Sequence, residues 1–389
     1  MPDTSYLNWP FFEDHHREFA HKLDEWAKEN IGTDVHEPED LEAECIHIVR
    51  QFGEADIIKT VVPEAGPEAL DVRTICLARE TLARYSGMAE GMFAMQGLGT
   101  GPITLFGTPE IREQFLPQVR SGQSITAFAL SEPEAGSDVA SMTTTAVRTD
   151  DGWKLDGVKT WISNAGIAGL YIVFARTGEA PGARGISAFI VEGDNPGLSI
   201  VQKIDTMAPH VIAKIKFENC LIPADRLLGE PGQGFKIAMA TLDVFRSTVG
   251  AAALGFSRRA LDDAMERAAT RMVMQRPLFE QQLIQGKIAD MALAIDTSAL
   301  LTYRAAWTRD VLKQRVTRES SMAKLYATEA AQKVIDETVQ IFGGLGVTKG
   351  NKAEELYRDI RALRIYEGAS EVQRVIISRQ AMRAAGYDY

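Results

Sequence analysis

Hydrophobic periodicity changes twice along this chain, and each change limits the folds open to it. From about residue 11 to 119, apolar residues recur at helical spacing, as in Phe11, Phe19, Leu23 and Trp26, then Ile75, Leu82, Met88 and Met92. Val61-Val62-Pro63-Glu64-Ala65-Gly66-Pro67 interrupts that pattern. From about residue 123 to 223 the texture becomes β-rich, with short runs at 126–130, 153–155, 158–162, 171–175 and 186–191. Asp151-Gly152 between alternating segments signals a hairpin. Helical stripes return from about 233 to the end, including Ile284, Ile288, Met291 and Ile295. The expected fold is mainly α with a middle β domain. It divides into an N-terminal helical domain over 1–122, a small β-barrel or sheet domain over 123–228, and a C-terminal four-helix bundle over 229–389.

Composition narrows the function classes. The 389 residues are 45% hydrophobic and 24% charged, a globular profile, and 42 basic against 53 acidic residues give a net charge of −11. No basic block is present, so nucleic acid is not the expected partner. No apolar run approaches the roughly 18 residues of a membrane span. The opening Met1-Pro2-Asp3-Thr4-Ser5 lacks the basic and apolar regions of a signal peptide. Cys45, Cys76 and Cys220 are scattered and odd in number, which argues against a disulfide framework and for a reducing, cytoplasmic setting. The six histidines, His36 among them, form no HExxH and no evident ligand cluster, so no metal is expected.

Three stretches carry candidate chemistry. Gly97-Leu98-Gly99-Thr100-Gly101 is not one of them: no strand precedes it, so close packing or a helix end explains it better than a dinucleotide loop. In the first stretch, Ala127-Phe128-Ala129-Leu130-Ser131-Glu132-Pro133-Glu134-Ala135-Gly136-Ser137-Asp138, a strand runs into a turn rich in hydroxyls and free amides. That suits a polar heterocycle edge and an anion, although an ordinary polar turn reads the same way. In the second, Asp156-Gly157-Val158-Lys159-Thr160-Trp161-Ile162-Ser163-Asn164, Trp161 is either a stacking surface or a core residue. In the third, Arg364-Ile365-Tyr366-Glu367-Gly368-Ala369-Ser370-Glu371-Val372-Gln373, the Ser370 and Gln373 spacing predicts a capping box and a helix start. Glu367 then stands just before that helix, as a general base if buried, or as an acid favouring the positive helix end.

In this order, with helices between the second and third, the three stretches resemble the acyl-CoA dehydrogenase family of flavoproteins. Further similarity lies in Gly229-Glu230-Pro231-Gly232-Gln233-Gly234-Phe235 and Gln340-Ile341-Phe342-Gly343-Gly344. The resemblance implies FAD, with Phe128, Leu130, Ser131, Gly136 and Ser137 along the isoalloxazine and pyrophosphate. It also implies Trp161, Ile162 and Ser163 against the ring. By similarity Arg271, Gln282, Gln340, Gly343 and Gly344 reach the FAD of a neighbouring subunit, with Ala369 and Glu371 completing the cofactor set, so a homotetramer is expected. Ser137, Asp243, Arg246 and Gly368 are the implied acyl-CoA contacts. The implied reaction is α,β-dehydrogenation of an acyl-CoA thioester to the trans-2-enoyl-CoA in carboxylic acid catabolism. Glu367 takes the α-proton, flavin N5 takes the β-hydride, and an electron-transfer flavoprotein receives the electrons. An oxidase-type reaction or a non-catalytic flavoprotein on the same scaffold are the alternatives. Relatives that carry the base on another helix have it where Phe245 stands here, which favours Glu367. The pattern departs at Ala369, where Thr is usual, and at Met274-Gln275, where Phe-Gly is usual. Ala89 stands where glutaryl-CoA dehydrogenases carry an arginine. His210 either faces substrate or CoA or, as the favoured reading, sits in a turn of the β domain.

Overall fold

The computed structural model describes residues 3–35 and 37–387, so Met1, Pro2 and His36 of the sequence reading lie outside the described residues. Five helices come first: α1 (Asp14–Asn30), α2 (Leu41–Glu54), α3 (Val72–Tyr85), α4 (Gly87–Phe106) and α5 (Pro109–Arg120). Their starts are locally encoded. Asp40 accepts the Ala43 N–H, Asp71 accepts those of Arg73 and Thr74, and Thr108 caps a helix whose first residue is Pro109. Eight strands follow: β1 (Thr126–Ala129), β2 (Thr145–Thr149), β3 (Gly152–Ser163), β4 (Leu170–Arg176), β5 (Ile186–Glu192), β6 (Leu198–Lys203), β7 (Ile212–Pro223) and β8 (Leu227–Leu228). The chain continues through α6 (Gly234–Thr270), the short hairpin of β9 (Met272–Val273) and β10 (Arg276–Pro277), α7 (Gln282–Asp310), α8 (Thr317–Phe342), α9 (Lys352–Leu363) and α10 (Ser370–Ala384). The helix, sheet, helix order agrees with the periodicity of the sequence.

The chain forms two compact units. One comprises Met1–Glu37, Asp71–Glu90 and Asp243–Tyr389; the other comprises Pro38–Leu70 and Gly91–Leu242. In the first, α3 packs on α1 and α7, and α8 packs on α7, α9 and α10. Its core holds a charged group: the fully buried Glu80 carboxylate accepts from Arg258 Nε at 2.6 Å and from the Tyr303 hydroxyl. By composition α6 is apolar enough to cross a membrane, but 83% of its most apolar window is buried inside the protein, which makes it a core helix.

The second unit is built on a sheet of order β6-β7-β3-β2-β4-β5-β8, with β1 parallel to β4. Strands β4 and β5 are buried on both faces, which is why they read as unbroken apolar runs. The hairpin signalled at Asp151-Gly152 joins β2 to β3, with Thr149 opposite Gly152 and Asp150-Asp151 at the tip. Gly99 lies within α4, where an added Cβ would come within 2.2 Å of Thr126 Oγ1, so its role is close packing.

Candidate active site

Glu367 sits between α9 and α10 in a loop held by side chains from α8. Its backbone is left-handed, with φ +52°, and Gly368 follows with φ +91°. That φ favours glycine, and a Cβ at Gly368 would come within 2.5 Å of Gln373 Nε2 and push that amide off the loop carbonyls. Lys324, fully buried on α8, donates to the Tyr366 carbonyl at 3.0 Å and the Gly368 carbonyl at 2.6 Å. Five residues further along α8, Glu329 accepts from Arg364 Nε at 3.0 Å and Ser370 Oγ at 2.6 Å. The expected capping box is absent. The helix start is where the sequence puts it, but Ala369 is the N-cap, Ser370 turns to Glu329, and Gln373 turns back to donate to the Glu367 and Gly368 carbonyls. Tertiary bonds to α8 and to the loop have displaced the local ones.

This arrangement leaves the Glu367 carboxylate unusually placed. Its Oε2 is buried with no hydrogen-bond partner among the described residues. Burial pushes its pKa above the usual carboxylate range; Arg79, Lys324 and Arg246 oppose that rise and Glu90 adds to it. The three cations have partners of their own. Arg79 pairs with Glu90 and donates to Thr248 Oγ1 at 2.8 Å, Arg246 pairs with Asp243, and Lys324 holds the two carbonyls. Asp243 is itself tied to the Thr317 hydroxyl at 3.0 Å. The carboxylate is therefore kept near positive charge but free to take a proton.

In the β unit, β1 delivers Leu130, Ser131 and the following turn. A buried ion pair anchors that turn. Lys159 Nζ donates to Glu132 Oε1 at 2.9 Å and to the Leu130 carbonyl at 3.0 Å, while Glu132 also accepts the N–H groups of Thr143 and Thr144. Burial alone would raise Glu132, but Lys159 and these hydrogen bonds outweigh it and bring it down to about 2. Gly136 and Ser137 are exposed, and no hydrogen bond among the described residues uses their N–H groups. Trp161 is not a core residue. It occupies an irregularity in the β3–β7 ladder with φ +59° and is 59% exposed, whereas Ile162 beside it is buried. Phe128 is half-buried, 4.9 Å from Phe174. Ser163 Oγ lies 2.7 Å from His210 Nε2. Burial pushes that imidazole down to about 4, so His210 is neutral at neutral pH.

The remaining site residues of the sequence reading lie at the surface of the helical unit. Arg271, Gln282, Gln340, Gly343, Gly344 and Glu371 are exposed; Ala369 is half-buried. Gly343 ends α8 with φ +64°. Met274-Gln275 forms the tip of the β9–β10 hairpin with both φ values positive, where the usual glycine is absent. The structure also gathers His15, His16 and Asp71 with their polar atoms within 4.8 Å, a cluster not evident from sequence. His16 Nδ1 accepts the Glu13 N–H, so its proton is on Nε2, which donates to Asp71 at 2.9 Å. Neither nitrogen is left for a metal.

Lys324, Glu329 and Lys159 are the groups that sequence reasoning missed. Their only signal was a charged residue on the apolar stripe of a helix or strand, which is ambiguous until the partner is located.

Family models described as the N-terminal, middle and C-terminal domains of acyl-CoA dehydrogenase match residues 13–123, 127–220 and 232–382. The human short-chain specific acyl-CoA dehydrogenase, mitochondrial, is 42% identical over 340 residues, 86% of this chain and 82% of that protein. Butyryl-CoA dehydrogenase from Megasphaera elsdenii is similar in structure, with a TM-score of 0.84 at 34% identity, over 96% of this chain and 99% of that one. A chain described under the electron transferring flavoprotein of Acidaminococcus fermentans gives a TM-score of 0.88 at 33% identity, over 96% and 99%.

Proposed function

This chain belongs to the acyl-CoA dehydrogenase family, and from that premise we propose that it dehydrogenates an acyl-CoA thioester across its α and β carbons with Glu367 as the base. The observation that carries the proposal is the buried, unpartnered Oε2 of Glu367 on a loop gripped from α8. In this reading the α C–H proton passes to that carboxylate, the α,β double bond forms, and the β-hydrogen leaves with its electron pair. The Glu367 N–H, which no hydrogen bond among the described residues uses, faces the negative charge that develops on the thioester oxygen. Asp243 and Arg246 hold polar groups of the CoA portion.

The residues of the β unit fit FAD by their chemistry. The exposed indole of Trp161 offers a stacking face, the Ser131 and Ser163 hydroxyls offer polar edge contacts, and the free amides of Gly136 and Ser137 suit a phosphate. When bound, FAD supplies the acceptor for the hydride. Arg271 and Gln282, both exposed, serve a neighbouring copy of the chain. Met274 and Leu283, close to them in sequence, leave apolar side chains exposed for such a neighbour, and the homotetramer is the assembly proposed. An electron-transfer flavoprotein, in keeping with the likeness to the Acidaminococcus chain, is the proposed electron acceptor.

The direct test is anaerobic mixing of the purified flavoprotein with a panel of acyl-CoAs, beginning with butyryl-CoA because the relatives are named for short chains. Loss of the flavin absorbance is the expected result; a panel that leaves it intact rejects the reading. Glu367 must be ionised to act and its pKa is raised, so the reduction rate should climb with pH through a midpoint above the usual glutamate range. A rate that is flat through that window would contradict a buried carboxyl base. Arg271→Ala is expected to lower the flavin retained through gel filtration, because a planar guanidinium is lost from a phosphate contact. Unchanged flavin content would remove Arg271 from the cofactor set.

A further inference from the structure

Three successive peptide groups surround Glu367, and two side chains hold all three. The Tyr366 carbonyl belongs to the same peptide group as the Glu367 N–H. It is gripped by Lys324 Nζ at 3.0 Å. The Glu367 carbonyl accepts from Gln373 Nε2 at 3.3 Å. The Gly368 carbonyl accepts from both, at 2.6 Å from Lys324 and 2.9 Å from Gln373. All peptide bonds among the described residues are trans. In a trans peptide the C=O and N–H point in opposite directions. A lysine that pulls the Tyr366 carbonyl toward α8 therefore turns the Glu367 N–H away from α8.

We propose that Lys324 is a positioning residue for the dehydrogenation, fixing the peptide plane that presents the Glu367 N–H and holding a positive charge beside the Glu367 carboxylate. The inference rests on Glu367 being the base. A fully buried lysine is costly, and nothing in helix packing calls for one here. Among the described residues no carboxylate pairs with it directly, and its hydrogen bonds go to two main-chain carbonyls of the loop. The charged groups facing it are Glu367, Arg246, Glu329 and Glu371. Those facing Glu367 are Arg79 from α3, Glu90 from α4, Arg246 from α6 and Lys324 from α8. Arg79 and Arg246 are each paired with an acid, so Lys324 is the cation of this set that lacks its own carboxylate.

Lys324→Met removes the donors and the charge while keeping an unbranched apolar stem in the helix. The flavin reduction rate should fall roughly 100-fold, the scale of a misdirected transition-state donor. Flavin content and affinity for a non-reacting acyl-CoA analogue should stay within about 3-fold, because the loss is confined to the transition state. The rising limb of the pH profile should move to higher pH, since a carboxylate that loses a nearby cation is harder to ionise. A purely structural lysine would lower the amplitude and leave the limb in place. A variant within about 3-fold of the wild-type rate with an unmoved limb overturns the proposal. If Lys324→Met yields no soluble flavoprotein, Lys324→Gln, which keeps an N–H donor without the charge, is read on the same limb with the same two outcomes. Glu367→Gln is run alongside. If it stays active, the base assignment has failed; if it is inactive while Lys324→Met is unchanged, only the positioning role has failed.

Discussion

Glu367→Gln is expected to slow anaerobic flavin reduction by acyl-CoA between about 10²- and 10⁴-fold, the range spanned by general bases. The fold should be untouched, and the reason lies in the surroundings of the carboxylate. Its Oε2 has no partner to lose. Arg79 keeps Glu90, Arg246 keeps Asp243, and Lys324, which loses the nearby Glu367 charge, keeps its hydrogen bonds to the Tyr366 and Gly368 carbonyls, so no buried donor loses its acceptor. The amide has nearly the shape of the acid, and the backbone that shapes the loop is held by Lys324 and Gln373 rather than by the Glu367 side chain. Removing a partly desolvated charge should leave the melting temperature unchanged or raise it. Stopped-flow reduction, flavin content and thermal melting together check the claim. Loss of both activity and melting temperature would show that the residue holds the structure. Near-complete retention of activity would move the base elsewhere.

The division into helix, sheet and helix was legible because each carries its own apolar period. Strands β4 and β5 were legible because burial on both faces writes a continuous run, as in Tyr171-Ile172-Val173-Phe174-Ala175. Strand β6 was not. Ser199 to Lys203 are exposed, and an edge strand solvated on both faces leaves no alternation to read. In the site, the placement of Glu367 just before a helix followed from local sequence. The left-handed backbone that aims it did not, because φ +52° at a glutamate goes with carbonyls held by Lys324, 43 residues away in sequence, and by Gln373, which no local pattern shows. Gln373 illustrates the same competition. Its spacing from Ser370 suits a capping box, but the loop carbonyls offer acceptors that the local pattern cannot reveal. Trp161 was ambiguous between core and ligand surface. Only the irregular register of β3 against β7 decides for the surface.

Lys159→Met should be the most damaging single change in the β unit. Lys159 is fully buried and Glu132 is 4% exposed, so the substitution strands a carboxylate in the interior. Breaking a buried pair from one side costs about 3–5 kcal/mol, most of it the penalty on the charge left behind. The Thr143 and Thr144 donors remain and soften the loss, but they cannot supply the missing positive charge. The pH dependence gives a sharper check. In the wild type Glu132 is held down to about 2, so its contribution is complete above the ordinary carboxylate value and is lost as pH falls toward about 2. In the variant the carboxyl loses its cation and its pKa rises, so mild acid protonates it and relieves the stranded charge. Chemical denaturation at neutral and mildly acidic pH should therefore show a gap between the proteins that narrows in acid. Adding Glu132→Gln to Lys159→Met should recover part of the loss at neutral pH, since a neutral amide is cheaper to bury than an unpaired carboxylate. A gap below about 1 kcal/mol that is constant with pH would mean the pair is incidental to stability. The same variant tests the link to function: Glu132 and Lys159 fix the turn that carries Leu130 and Ser131, so flavin retention should fall together with stability.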